Sequence, residues 1–261
     1  MREDVIISVM IMSIAAAANN AAWTDFHSHC LPNLDDGAAD VKTSVAMLRE
    51  VAQQGVTRVV ATPHFYIGEH SASAFFRERQ RAYEEIRPYL TGDMPEVLLG
   101  AEVLIREGIS RYDLRPFCLQ GTNILLVELP FMAPPYWVLE ELEGLALGQG
   151  LTLMLAHLDR YLSWYSRDQL EALLDLPGVI VQINADSVAD KRGLRHVCKN
   201  LPLARRLVMG SDMHNLTHRA PHIGQAIKVM SKQREGRRWL DRIARTTDYL
   251  NDQDDNTEGL L

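Results

Sequence analysis

Trp23-Thr24-Asp25-Phe26-His27-Ser28-His29 is a short apolar strand that ends in two histidines one residue apart. Strand side chains alternate between faces, so His27 and His29 project to the same side and can grip one metal ion together. Taken alone, His-x-His is a weak sign of metal binding. Its meaning depends on what the later strands carry.

From Ala22 onward, short β-rich runs alternate with longer helical ones. Strands are predicted over 22–26, 56–62, 97–101, 124–128, 151–156, 179–183 and 207–210. Apolar residues at Val45, Leu48, Val51 and Ala52 recur at helical spacing, and Gly55 ends that run. Further helices are expected at 73–89, 136–147, 167–176, 187–200, 221–232 and 237–245. Near-continuously apolar strands separated by helices mean a parallel sheet covered by helices. Seven strands suit a closed or nearly closed barrel, in which functional residues collect at the C-terminal strand ends.

The bulk numbers agree with such a domain. The chain has 261 residues, 47% of them hydrophobic and 23% charged, with a formal net charge of −7. That balance argues against binding nucleic acid or anionic lipid through overall charge. Cys30, Cys118 and Cys198 are few and widely spaced, as expected in a reducing compartment. Residues 5–18 form an apolar run too short to span a bilayer. It could serve as a signal-peptide core, but Met1-Arg2-Glu3-Asp4 is net negative where a signal is positive. The expected layout is an N-terminal extension over 1–21, one barrel over 22–250 and a polar tail over 251–261. The expected location is cytoplasmic, with export by the apolar run as the alternative and no stable membrane insertion.

The strand-end rule then gathers scattered residues. The first strand delivers Asp25, His27 and His29, with Asp36 from the following loop; the second delivers His64 and the third Glu102. The later strands deliver His157, Asp159 and Arg160, then Asn184 and Asp186, then Asp212 and His214. Any one of these is commonly a hydrogen-bonded structural residue. Clustered at one barrel mouth, they would repel or be desolvated without a compensating cation. His27, His29, Asp36, His64, Glu102, His157, Asp212 and His214 exceed the needs of one four-coordinate ion, so a multinuclear site is expected. Mixed imidazole and carboxylate ligation suits manganese, iron or zinc, and such sites hydrolyse phosphoesters by in-line displacement. Arg160 and Arg219 lie close in sequence to these candidates and point to a phosphate substrate.

Nucleophilic routes lack their residues. Six positions after the three cysteines stand Asp36, Ile124 and Ala204, none of them the arginine of a cysteine phosphatase. Neither a Gly-x-Ser-x-Gly elbow nor a phosphate-binding Gly-x-x-x-x-Gly-Lys loop occurs.

Six blocks carry a family resemblance. They are Asp25-Phe26-His27-Ser28-His29, Asp35-Asp36-Gly37, Thr62-Pro63-His64, Gly100-Ala101-Glu102, Ala156-His157-Leu158-Asp159-Arg160-Tyr161 and Ser211-Asp212-Met213-His214-Asn215. In order and spacing, over about 23–245, they resemble the bacterial capsule-type protein-tyrosine phosphatases of the polymerase and histidinol phosphatase (PHP) superfamily. The resemblance implies a distorted (β/α)7 barrel with up to three ions, usually Mn²⁺, at the C-terminal ends of the strands. His27, His29, Glu102 and Asp212 would hold one ion, Glu102 and His157 a second, and Asp36, His64 and His214 a third. Arg160 and Arg219 would bind phosphate and stabilise the transition state. The implied substrate is a tyrosine-phosphorylated protein, notably an autophosphorylating bacterial tyrosine kinase controlling exopolysaccharide or capsule synthesis. The implied reaction uses metal-activated water and no cysteine phosphoenzyme.

Three features depart from the pattern. Asp159 stands where glutamate is common, and the residues before the first strand are extra. The second ion lacks a third protein ligand, for which water, Asn184 or Asp186 are candidates. The rival readings are a histidinol-phosphatase-like small-molecule phosphatase, an amidohydrolase-type metal hydrolase and a metal-stabilised binding protein. The amidohydrolase type commonly presents a bridging lysine where this chain has Glu102.

Overall fold

The computed structural model describes residues 22–69, 71–201 and 204–257. The extension expected over 1–21 lies outside the described residues. Among the described residues nine parallel strands form two sheets: β1 (Trp23–Ser28), β2 (Val56–Ala61), β3 (His64–Phe65), β4 (Glu96–Leu99), β5 (Glu102–Leu104), β6 (Ile124–Glu128), β7 (Thr152–Leu155), β8 (Ile180–Asn184) and β9 (Leu207–Gly210). One sheet runs β1-β2-β4 and the other β3-β5-β6-β7-β8-β9.

The two sheets are parts of one ring. β3 resumes the path of β2 after Thr62-Pro63, and β5 resumes β4 after Gly100-Ala101, which leaves the seven paths expected. Proline has no N–H to give a ladder, so pairing stops at Pro63 and restarts one step along. Gly100 N–H donates to Ala61 O at 2.8 Å below the break, and Glu102 N–H to Pro63 O at 3.1 Å above it. Between β1 and β9 the ring is joined by a single Ser28–Met213 bridge, with Asp212 N–H donating to His27 O at 2.8 Å and His29 N–H to Met213 O at 3.0 Å. The result is a distorted barrel whose ladder is incomplete at both seams.

Alternation along the strands sorts the core. Leu125, Val127, Leu153, Leu155, Val181 and Met209 pack outward in the cluster that also holds Leu142, Leu170, Val197 and Trp239 from the helices. Phe26, Val60, Leu126, Met154, Ile180 and Val208 form a separate inner cluster. The outer layer comprises α1 (Val41–Gln53), α2 (Ala72–Ile86), α3 (Trp137–Glu143), α4 (Arg167–Leu174), α5 (Lys191–Asn200), α6 (Ile223–Ser231) and α7 (Arg234–Thr257). Local chemistry sets their starts: Asp40 caps α1 by accepting from Thr43 N–H at 2.7 Å, and Ser166 with Gln169 closes a capping box on α4. Gly55, at φ +88°, follows the end of α1 in the left-handed conformation.

Two helices differ from expectation. The segment expected as one helix over 136–147 is α3 followed by a wider, π-type turn at Gly144–Gly148. The last helix, expected over 237–245, runs from Arg234 to Thr257 and takes in the start of the expected polar tail. Its length follows from its far end. Leu250 joins the inner cluster from below, and Arg58 Nη1 at the foot of β2 donates to Asn251 Oδ1 at 2.8 Å.

Candidate metal centre

At the C-terminal strand ends the polar residues converge as the strand-end rule requires. His27, His29, Glu102, His157, Asp212 and His214 are all buried, His64 is partly exposed and Asp36 is exposed. Ligand atoms approach one another within 4.8 Å in four overlapping groups: His29, Asp36, His64 and His214; His27, His29 and Asp212; His27, Glu102 and His157; His64, Glu102 and Glu128. All eight candidates from the sequence therefore meet in one place.

Glu102 is the hub. Its Oε2 lies 3.2 Å from His27 Nε2, 3.3 Å from His29 Nε2 and 3.0 Å from His64, yet it accepts no hydrogen bond from any of them. His27 Nε2 and His29 Nε2 face each other at 3.1 Å. Imidazole nitrogens and carboxylate oxygens crowded this closely, several of them without a hydrogen-bond partner, fit ligation of shared cations. His64 Nδ1 and His214 Nε2 are buried in the same cluster beside Glu102 and Asp36, at 3.0 and 3.2 Å, without a hydrogen-bond partner, so the residues fit a metal centre by their own geometry.

Supporting residues fix the rings. His29 Nδ1 lies 2.7 Å from Asp35 Oδ2, leaving Nε2 for the cluster. Gln182 Oε1 lies 3.0 Å from His27 Nδ1 and accepts from His157 N–H at 2.6 Å, so one buried amide positions two histidines. A Cβ on Gly37 would lie 2.2 Å from His29 O; the Asp35-Asp36 loop closes on the strand only because that residue has none. His157 at φ +32° and Asp212 at φ +51° are held left-handed, a rare state for these residue types that concentrates at functional sites.

Burial lowers the His29 pKa, but its hydrogen bond to the Asp35 carboxylate and the negative charge of Glu102 beside it outweigh burial and hold the ring up at about 10. Burial opposes the shift at His157 as well, where Glu102 and Glu128 raise the value to about 9. His214 is pushed down to about 4 by burial and by the neighbouring His29 charge. Against burial, His27 and His29 hold the Asp212 carboxyl well below the usual carboxylate range, with Arg160 adding to them.

The arginines meet on the same carboxylate. Arg160 Nη2 reaches Asp212 Oδ2 at 2.6 Å. Arg219 is turned back by a tight loop in which Asn215 Oδ1 accepts from the backbone of Thr217, His218 and Arg219. Beside them opens a cleft of about 880 Å³ whose walls include Tyr66, Phe131, Met132, Pro135 and Trp137 and whose floor includes His64, Glu128 and His157.

Several strand-end residues do other work. Asp25 accepts from Ser211 N–H at 2.7 Å and Ser211 Oγ at 2.6 Å, tying β1 to the end of β9. Asp159 accepts from Asn184 N–H at 2.9 Å and Ser187 Oγ at 2.5 Å. Asn184 spends its amide on Asp212 and Gln182, and Asp186 begins a 3₁₀ turn and joins none of the four groups. Glu128 is a further acidic residue at this place, 3.5 Å from His157 Nε2 and grouped with Glu102 and His64. Sequence reasoning passed over it, although it closes β6, the one strand left without a contribution.

A family model described as "Capsular polysaccharide synthesis, CpsB/CapC" matches residues 23–248. Tyrosine-protein phosphatase YwqE of Bacillus subtilis (strain 168) is 28% identical over 221 residues, covering 80% of this chain and 84% of that protein. Tyrosine-protein phosphatase CpsB of Streptococcus pneumoniae is 26% identical over 226 residues, covering 80% and 90%. A crystal structure from work on YwqE of Bacillus subtilis and CpsB of Streptococcus pneumoniae, described as metal-dependent tyrosine phosphatases, superposes with a TM-score of 0.66 at 24% identity. It covers 85% of this chain and 94% of that one.

Proposed function

The chain belongs to the CpsB/CapC family of capsular polysaccharide synthesis proteins, and from that premise we propose that it is a metal-dependent protein-tyrosine phosphatase. The observation that carries the reading is the junction of two unlike surfaces: a cluster of imidazoles and carboxylates opening directly into an aromatic-walled cleft. The first suits a phosphoryl group and the second an aryl ring.

His27, His29, Glu102 and Asp212 would hold one ion, Glu102, Glu128 and His157 a second, and Asp36, His64 and His214 a third. Manganese is the ion we infer, with iron or zinc compatible with the donor set. Bound there, such ions supply Lewis acidity, which lowers the pKa of water and neutralises phosphate charge. The chain's own residues do the rest. Arg160 and Arg219 bind the non-bridging phosphate oxygens and follow their charge as it spreads. Tyr66 stacks on His64 with ring centroids 5.3 Å apart, Phe131 stacks on His157 at 5.8 Å, and both line the cleft that would take the substrate ring. Water adds to phosphorus in line, the bond from phosphorus to the tyrosyl oxygen breaks, and phosphate and tyrosine leave. A phenol near pKa 10 needs little help from an acid to depart.

The inferred partner is a tyrosine-phosphorylated bacterial kinase of the capsule or exopolysaccharide system, in the cytoplasm. Among the described residues no helix is long and apolar enough to cross a membrane. The test is phosphate release by purified protein with Mn²⁺ from a tyrosine-phosphorylated kinase tail, set beside histidinol phosphate. Much faster turnover of histidinol phosphate would replace the tyrosine-phosphatase assignment with the small-molecule one.

A further inference from the structure

We propose that a second hollow, at the opposite end of the barrel from the metal centre, binds a small polyanion bearing clustered phosphates. The hollow, about 370 Å³, is walled by Arg205, Arg206, Arg238, Arg242 and Arg245 with Tyr249. Arg205 and Arg206 precede β9, whereas Asp212 follows it; at the rise of an extended chain the two sites are roughly 20 Å apart. A ligand here does not reach the reacting phosphoryl group.

Three observations carry the inference. Arg238, Arg242 and Arg245 recur on α7 at the spacing of one helix face, across from the turn that carries the other two. Two guanidiniums are held in place by neutral groups: Arg206 donates to Gly178 O at 3.4 Å and lies over the Tyr249 ring at 5.2 Å, and Arg242 donates to Ala204 O. The third is a contrast within the chain. Arg58, Arg81, Arg87, Arg106, Arg115 and Arg167 each pair with a carboxylate. Among the described residues none of the five at the hollow does, although Asp241 and Asp248 stand on the same helix.

Five like charges around one depression, in a chain of formal net charge −7, repel one another unless an anion sits among them. Arginine rather than lysine selects for planar, bidentate partners, of which phosphate is the natural one. A single phosphate cannot engage five guanidiniums, so two or three linked phosphates are the fitting class. Free oligophosphate and a phospholipid headgroup share that chemistry.

The test compares wild type with an Arg238→Gln/Arg245→Gln variant, whose changed side chains are exposed and lie outside the reaction site. Inorganic tripolyphosphate is titrated calorimetrically into both metal-loaded proteins under the same conditions. We expect the variant to bind at least tenfold more weakly while hydrolysing a phosphotyrosine peptide at the wild-type rate with an unchanged Tm; Arg219→Ala should retain the binding event. A parallel arm sediments the proteins with phosphatidylcholine vesicles containing one-quarter cardiolipin, whose headgroup links two phosphates. Loss of vesicle binding in the variant, with no tripolyphosphate binding by wild type, assigns the site to a lipid headgroup. Identical behaviour of wild type and variant in both arms overturns the proposal.

Discussion

Arg219 Nη2 reaches both carboxylate oxygens of Asp212, at 2.8 and 2.9 Å, while its Nη1 lies 3.3 Å from Asp36. The guanidinium thus spans the two acidic residues assigned to different ions, above the place where the phosphoryl group would sit. Arg219→Ala should lower kcat by about 10²–10³-fold, the scale for losing one preorganised donor to transition-state charge, with Tm within a degree or two of wild type. Arg219→Lys keeps the charge but loses the fork, and should recover only part of the rate. Near-normal turnover of the alanine variant, measured with a phosphotyrosine peptide, would remove Arg219 from the mechanism.

Glu128 gives a metal prediction separable from turnover. Wild type should rise in Tm on adding Mn²⁺ and fall back with chelator, because ions that bind only the folded chain stabilise it by mass action. Glu128→Gln should retain fewer ions per chain after dialysis, by elemental analysis, and show a smaller Tm rise. An unchanged metal content would place Glu128 outside the ligand set.

The aromatic wall makes a claim about selectivity. Phe131 stacks on Tyr161 with centroids 5.3 Å apart and meets Trp164 edge-on at 5.9 Å, yet the residue remains 48% exposed beside the cleft. An aryl substrate can use that exposed part and an alkyl one cannot. Aromatic pairs contribute about 0.5–1.5 kcal/mol beyond area, so Phe131→Ala should cost roughly threefold to tenfold in kcat/KM for phosphotyrosine. Phosphoserine turnover, however slow, should not change; an equal loss on both substrates would reduce Phe131 to a structural role.

Burial pushes the thiols of Cys118 and Cys198 up to about 12. A raised thiol pKa means less thiolate, so at pH 8 only roughly one molecule in ten thousand carries the reactive form. Iodoacetamide at pH 8 should therefore leave both mass and activity unchanged. Rapid inactivation at that pH would reopen a role for cysteine.

Gly37 supports the cluster through close approach rather than an unusual φ. Its missing side chain leaves room for His29 O and for His29 Cβ, which an added Cβ would approach to 2.6 Å. Gly37→Ala should cost about 1–3 kcal/mol by overpacking and lower activity with it, since Asp36 rides on the same turn. A variant as stable as wild type would show that the loop can shift without consequence.

The strands, their ends and the meeting of the eight ligand candidates were legible because alternation and strand-end polarity are local patterns. Three features were not. The strand read over 56–62 stops before Pro63, but that its path resumes as His64–Phe65 is revealed only by pairing with β5. Glu128 went unrecognised because it stands between apolar Val127 and Leu129 without a motif around it. α7 reads as ending near Arg245, because what holds it onward is Leu250 inside the barrel and Asn251 under β2, contacts with residues far away in the chain. The roles of Asp25 and Asp159 were equally hidden: a carboxylate that ties strands and one that binds metal look alike in sequence.

The step between β2 and β3, matched by the one between β4 and β5, offsets two of the seven strand paths, while β6 to β9 run without a step. Below it the interior holds Phe26, Val60, Leu126, Met154 and Val208, a filling that tolerates exchange so long as volume is kept. Above it His64 and Glu102 face each other as direct partners on a separate pair of rungs. His64 takes its place from β5, with which β3 pairs, and Glu102 in turn stands beside Leu126 of the inner filling. Inserting one residue at the step would advance a ligand by one position and turn it to the opposite face, so the chain can drift freely in what fills it and hardly at all in where it steps.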